Sequence, residues 1–505
     1  MYRQISMYYS DIVLACSYCR ICASSYLINS KPHFFVKTNK RRLFIILMSQ
    51  FLICMATTVS LLNAARRGFV KCTTFMVHPN LVACGTRKQL AGVQLKKFIF
   101  HSGDIMNFRF AKLAVASAVL SSAGWAVAAD PIKIGVTGPF TGGSSSMGVS
   151  MRDGVKLAVD EINKAGGVMG RQLLIVERDD EAKNERGVQI AQELISKEKV
   201  TAAVGYINTG VALASQRFFQ DAKIPVMNNV ATGSIVTKQF PEQSENYIFR
   251  NAAHDSIQAP MIVEEAITRK GYKKVAILAD STNYGQLGRA DLETALKAKG
   301  ITAVAVEKFN IKDVDMTAQL LKAKSAGAEA VLTYGIGPEL AQIANGMTKL
   351  GWKVPMIGSW TLSMANYIDN AGPGGEGARM PQTFIQEPTT PKRQSFIINY
   401  LKTFNPKNAR IDSPVSAAQG YDSIYLLAAA IKQANSTDGP KIREALENLK
   451  TPVEGVVTTY NKPFTAQDHE AITANIPVFG EVKGQKVVYA YPEDQKKASE
   501  VRVKK

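Results

Sequence analysis

The sequence predicts an α/β protein of two domains, each built on a parallel sheet with helices on both faces. Three observations lead there. From Asp130 onward, short β-branched runs alternate with apolar stripes at helical spacing. The runs fall into two series, the second opening at Lys274. Runs such as Val275-Ala276-Ile277-Leu278 carry no polar alternation, as strands covered on both faces require.

In chain order, a strand is predicted at 132–137, followed by a Gly- and Ser-rich loop over 138–148. A helix follows, because Val155, Val159 and Ile162 recur four and three residues apart on one face. Gly166-Gly167 stops it. A strand at 173–176, a helix at 185–199, a strand at 201–205, a helix starting near Thr209 and a strand at 224–227 complete the first series. Strands at 274–278, 301–306, 330–334 and 355–357 make up the second.

A second protein start lies inside the chain. Met106-Asn107-Phe108-Arg109-Phe110-Ala111-Lys112 leads into an apolar run over 113–120, and Ala126-Val127-Ala128-Ala129 precedes Asp130. A basic head, a short apolar core and small residues at a cleavage site form a secretory signal peptide over 106–129. The expected mature chain starts near Asp130 and works outside the cytoplasm. The region 1–105 reads as upstream sequence outside the working protein, with 14 basic and only 2 acidic residues. Read otherwise, its apolar stretch 43–62 would span a membrane, and Cys16, Cys19 and Cys22 would form part of a metal site.

All six cysteines precede Met106, so burial alone must hold the exported part together. The net charge of +19 is concentrated upstream; from Asp130 the balance is 45 basic to 40 acidic residues. Nothing in that balance supports nucleic-acid binding.

In open α/β sheets, ligands bind beyond the carboxyl ends of the strands, where helix N-termini offer free N–H groups. The loops to watch are therefore 139–147, 206–209, 228–234, 281–285, 335–338 and 359–362.

Several segments carry a family resemblance. Ile132-Lys133-Ile134-Gly135 leads to Gly138-Pro139-Phe140-Thr141-Gly142. Asp160-Glu161-Ile162-Asn163 precedes Gly166-Gly167-Val168, Gly170-Arg171 and Asp179-Asp180. Ile224-Pro225-Val226, Ala231-Thr232, Asp280 and Tyr284-Gly285 follow in order. Together they resemble the leucine/isoleucine/valine-binding proteins of bacterial ABC transporters over nearly all of 130–505. The resemblance implies a type I periplasmic binding fold: two doubly wound parallel-sheet lobes joined by a three-strand hinge, closing on a ligand. Lobe one would be 130–249 plus 380–453, and lobe two 250–379 plus 454–505.

The resemblance also implies a pocket. Thr209 and Thr232 fall where hydroxyls hold a ligand carboxylate; alternatively both are helix-cap or turn residues. Val230 would offer its carbonyl to an ammonium, or simply pack in its loop. Ser145, Ser146 and Met147 come from the first loop, and Tyr206 and Tyr284 would wall the pocket from either lobe unless they are core residues. Family members that bind amino acids commonly place an acid in lobe two, and here Trp360 occupies that place. An indole cannot accept a hydrogen bond from an ammonium. The expected solute is a small carboxylate or amino acid, and an aromatic or aliphatic carboxylate, or an amide, fits Trp360, Tyr284 and Met147 better than a plain α-amino acid.

No catalytic signature appears from Met106 on. Two histidines, His254 and His469, and no cysteine leave little for a metal site or a nucleophile–histidine pair. His254 reads as structural, and Asp179-Asp180-Glu181 as a solvated strand-end loop. The expected protein is a monomeric, non-enzymatic solute receptor without cofactor, delivering its ligand to a membrane permease. The same fold could instead report ligand to a sensor kinase; a secreted hydrolase is the weakest reading.

Overall fold

The computed structural model describes residues 130–500 and 502–505. The expectations for 1–105 and for the signal segment 106–129 lie outside the described residues.

The first series folds as β1 (Ile132–Gly138), α1 (Ser145–Lys164), β2 (Leu173–Asp179), α2 (Asn184–Ser196), β3 (Ala202–Gly205), α3 (Thr209–Asp221), β4 (Val226–Asn228) and β5 (Ile248–Arg250). The five strands make one sheet in the order β2-β1-β3-β4-β5. Every pairing is parallel, with Ile134 opposite Ile175 on one side and Ala202 on the other.

The second series is α4 (Asp255–Val263), β6 (Val275–Asp280), α5 (Asn283–Ala298), β7 (Ala305–Phe309), α6 (Thr317–Ser325), β8 (Ala330–Tyr334), α7 (Gly337–Lys349), β9 (Met356–Gly358), α8 (Ala365–Asn370) and β10 (Arg379–Gln382). The chain then returns to the first lobe for α9 (Pro391–Phe404), α10 (Pro414–Ala434), α11 (Gly439–Glu447) and a small hairpin, β11 (Val453–Glu454) with β12 (Thr459–Tyr460). It crosses once more for β13 (Val478–Lys483), β14 (Lys486–Tyr489) and α12 (Pro492–Ser499). The second sheet runs β14-β13-β10-β9-β8-β6-β7. It is parallel except for β13, which is antiparallel to both β10 and β14.

The apolar runs do what their composition requires. Val275 to Ala279 in β6 are completely buried between helical layers. On α1, Val155 and Val159 face the core together with Met147 and Met151. This helix packs closely on α10 because glycines sit at the contact. A Cβ on Gly154 would lie 2.1 Å from the Ala417 carbonyl oxygen, and one on Gly420 would lie 2.4 Å from that of Met151.

Three expectations shift. The first loop is shorter than expected, since α1 begins at Ser145 and takes up Ser145, Ser146 and Met147. The strand expected at 301–306 lies at β7, because β7 is an edge strand paired only with β6, and register with β6 selects Ala305 to Phe309. An edge strand is half exposed, so Val306 faces outward while Phe309 is buried, and the apolar run misleads.

The lobe divisions also fall later than expected. Met380 lies in β10 of the second sheet. The chain from 454 to 476 packs with the first lobe, where Val456, Val457, Tyr460, Phe464 and Ile476 join its core. The buried carboxylate of Asp422 on α10 fixes this segment. It accepts from the Val456 and Val457 amides (2.7 and 2.9 Å) and from Tyr460 Oη (2.9 Å).

Candidate functional site: an uncharged cleft at the strand ends

Between the two sheets lies a cleft with about 260 Å³ of space. Met147 enters it from the first turn of α1, Ile207 and Asn208 from the turn after β3, and Val230 and Thr232 from the turn after β4. The other lobe contributes Tyr284 after β6, Ile336 after β8, and Trp360 and Thr361 after β9. Each of these residues follows the carboxyl end of a parallel strand, where this sheet type places its ligands.

An inner cavity of about 240 Å³ shares Thr232 and Trp360 with the cleft and continues toward the crossing segments. It adds the amides of Gln258, Gln382 and Gln419. None of the residues lining either space carries a charge. A roomier groove, about 1100 Å³, is lined by residues such as Phe384, Arg410 and Lys486; it shares Gln382 with the inner cavity and none of the residues that line the cleft.

The lobes meet across the mouth of the cleft. Asn366 Nδ2 donates to the Gly143 carbonyl at 3.0 Å, and Ser234 Oγ donates to Asp291. The apolar core of lobe one runs on through Ile336, Trp360 and Met364 of lobe two.

Hydroxyl groups on the lobe-two wall form a directed chain. Tyr284 Oη donates to Ser359 Oγ (2.5 Å), which lies 2.8 Å from Thr361 Oγ1, and Thr361 Oγ1 donates to the Gly335 carbonyl (2.7 Å). Each hydroxyl has one proton, so Ser359 must donate to Thr361. Tyr284 therefore has only lone pairs left to offer. Trp360 is held by its backbone: its N–H donates to Gln258 Oε1 (3.1 Å), and its carbonyl accepts from Gln382 Nε2 (3.2 Å). Its indole Nε1 is buried without a partner.

On the lobe-one wall, Asn208 Nδ2 donates to Ser144 Oγ (3.2 Å) while its Oδ1 has no partner. The Thr232 hydroxyl is 3 % exposed and unpartnered. Behind it lies Asp255, the first residue of α4, which burial pushes up to about 7. Its carboxyl faces the hydroxyls of Thr232 and Tyr334 without closing a well-aligned hydrogen bond to either.

The cleft thus brings together Met147, Val230, Thr232, Tyr284 and Trp360 from the residues singled out in the sequence. Four others lie elsewhere. Ser145 and Ser146 sit half-buried in the first turn of α1, off the lining; Ser144, just before them, is the serine tied to Asn208. The ring of Tyr206 is fully buried in the lobe-one core, edge-on to Phe219 at 6.5 Å, so it walls nothing. Thr209 is also buried, and its Oγ1 accepts from the Gly233 amide at 3.2 Å, fastening the loop that carries Thr232.

Sequence reasoning missed Asn208, Ile207, Ile336, Thr361 and the three glutamines. Asn208, Ile207, Ile336 and Thr361 fall inside loops flagged from the sheet rule, so position was a signal for them. Residue type gave none for the glutamines, which lie on α4, β10 and α10.

Two supporting features have a clear cause. Asp280 Oδ1 accepts from the Thr282 amide (2.9 Å) and hydroxyl (2.5 Å), setting the start of α5 and with it Tyr284. Gly285 is needed there, because a Cβ would lie 2.3 Å from the Asp280 carbonyl oxygen. The acidic run at the end of β2 is not simply solvated, as expected, for Asp180 is completely buried and pushed up to about 7 by that burial. Asp179 accepts from the Phe140 amide (2.9 Å) and the Thr141 hydroxyl (2.8 Å), which shapes the loop before α1. His254 stands just before α4, where burial lowers it to about 4 and keeps it neutral.

Comparison with known proteins agrees with this fold. The family model described as periplasmic binding protein matches residues 131–484. The leucine-, isoleucine-, valine-, threonine- and alanine-binding protein of Pseudomonas aeruginosa is 28% identical over 348 residues, covering 68% of this chain and 90% of its own. A type 1 periplasmic binding protein of Bordetella pertussis superposes with TM-score 0.65 at 28% identity, over 71% of this chain and 99% of that one. A branched-chain amino acid transporter substrate binding protein of Streptococcus pneumoniae, solved with isoleucine, gives TM-score 0.62 at 25% identity over 71% and 97%. The family model spans most of the chain, and the chain belongs to the periplasmic binding protein family, in its branched-chain amino-acid type.

Proposed function

We propose that the protein is the periplasmic solute-binding component of an ABC importer. It is exported by way of the segment 106–129, acts as a monomer and hands its ligand chemically unchanged to a membrane permease. Lobe one binds first through Thr232, and lobe two then brings Tyr284 and Trp360 over the ligand.

The proposed ligand is a small carboxylate or amide with an apolar body. The observation that carries this choice is the uncharged lining of the cleft and its inner cavity. A carboxylate can be balanced there by the N-termini of α1 and α3, which carry partial positive charge. An ammonium has no carboxylate on the lining to meet it, and an unpaired charge in a dry pocket is costly. Trp360 Nε1 and the Thr232 hydroxyl supply donors for an acceptor group, while Asn208 Oδ1 and Tyr284 Oη accept from a neutral donor. Met147, Val230 and Ile336 suit the apolar body.

A thermal-shift screen of amino acids, aromatic acids, fatty acids and amides tests this reading, since a ligand that binds only the folded state raises the melting temperature. Benzoate-type or branched aliphatic acids should give the large shifts. Tight binding of leucine in a calorimetric titration would overturn the ligand assignment while leaving the receptor reading intact; turnover of any compound would overturn both.

A further inference from the structure

The loop that presents Thr232 is held by a side chain that never reaches the cleft. Arg250 closes β5 where the chain first leaves lobe one, and it is completely buried. Its Nε donates to Glu470 Oε2 (2.8 Å) and its Nη2 to Glu470 Oε1. The remaining nitrogen, Nη1, donates to the carbonyls of Gly233 (2.8 Å) and Ala231 (3.2 Å), the residues on either side of Thr232. The Thr232 carbonyl itself accepts from the Asp255 amide (2.8 Å), at the start of α4.

Glu470 lies shortly before the third crossing, and the two crossing segments are joined by their main chains. The Arg250 amide donates to the His469 carbonyl and the Ala471 amide to the Arg250 carbonyl, both at 2.9 Å. Burial would raise Glu470, yet the charge and hydrogen bonds of Arg250 outweigh it and leave Glu470 below the ordinary carboxylate range. A planar guanidinium can serve a carboxylate and two carbonyls at once, which a lysine ammonium cannot do in this geometry.

We propose that the Arg250–Glu470 pair is a positioning device for ligand binding: it fixes the loop 231–233 so that Thr232 faces the cleft, and it ties that setting to the first and third crossing segments. This rests on the reading of Thr232 as a ligand contact.

Hydrogen–deuterium exchange of the purified protein without ligand tests the device apart from that reading. In the double variant Arg250→Met/Glu470→Met no buried charge is left unpaired, so the fold is retained better than in either single variant. The two carbonyls nevertheless lose their donor. Exchange of the 229–234 amides should rise roughly tenfold or more, with β6 and α1 unchanged. Arg250→Lys keeps the charge beside Glu470 and should loosen the same amides. Wild-type protection of the loop in either variant overturns the proposal. Thr232→Val should leave loop exchange at the wild-type level, so a failure of the ligand reading would appear in titrations of that variant and not in the exchange data.

Discussion

Replacing Thr232 by valine should affect the empty and the liganded protein in opposite directions. The Thr232 hydroxyl is buried without a partner, and it lines both the cleft and the inner cavity. Leaving a buried hydroxyl unsatisfied costs about 1–3 kcal/mol. Valine keeps the branched shape and removes that group, so the empty protein should melt at the same temperature or higher. A hydroxyl that donates to a carboxylate contributes about 1.5–3 kcal/mol, so the same change should weaken binding roughly 10- to 150-fold. The melts are best run at pH 6, below the value of about 7 to which burial raises Asp255, so that the carboxyl behind Thr232 is neutral in both proteins. Calorimetric titration with the compound giving the largest thermal shift supplies the affinities. Equal affinities would remove Thr232 from the binding surface. A clear drop in melting temperature without ligand would show that the hydroxyl holds the fold together, and the reasoning from its missing partner would be wrong.

Three further outcomes follow from particular contacts. Gly154→Ala should destabilise: alanine gains about 1 kcal/mol of helix propensity, but its Cβ would meet the Ala417 carbonyl at 2.1 Å, and overpacking against backbone costs about 1–3 kcal/mol or more; a denaturation midpoint unchanged or raised would contradict this. Asp255→Asn should flatten the pH dependence of stability. The native carboxyl stays protonated to about 7 against 3.8 as the ordinary value, so its contribution is complete below 3.8 and is lost as pH rises to about 7, at about 1.4 kcal/mol per unit. The variant should therefore gain on its parent by up to about 4 kcal/mol between pH 4 and 8 in urea melts, and parallel profiles would refute the assignment. Trp360→Phe should cost affinity through loss of the Nε1 donor, by about 10-fold or more, while the empty protein changes little, because relief of an unpaired N–H offsets the lost indole volume; titration against the same compound decides it.

Much of the fold could be read without coordinates because burial on both faces leaves a local mark. Val275 to Leu278 in β6 had to be covered whatever surrounded them, and the stripe Val155, Val159, Ile162 needed a helix. The sheet rule then placed the flagged loops at one end, and the cleft does form from five of them and the first turn of α1. What fails is what depends on partners far away in sequence. The edge strand β7 takes its register from β6, and the segment 454–476 is assigned to lobe one by the carboxylate of Asp422.

The same division runs through the site. Sequence alone determined two parallel-sheet bodies and the loops that follow the carboxyl ends of their strands, since each depends only on residue type and order. Tertiary structure alone decided which side chains reach the cleft. Tyr206 and Tyr284 occupy similar places after their strands, yet the first turns into the lobe-one core while the second faces the opposite wall. Thr209 and Thr232 are equally plausible hydroxyls, yet the first accepts from the Gly233 amide off the lining while the second lines the cleft without a partner. A hydrogen bond or a ring's direction is settled by groups brought close in space, such as Arg250 and Glu470, and their separation along the chain hides that from any local pattern.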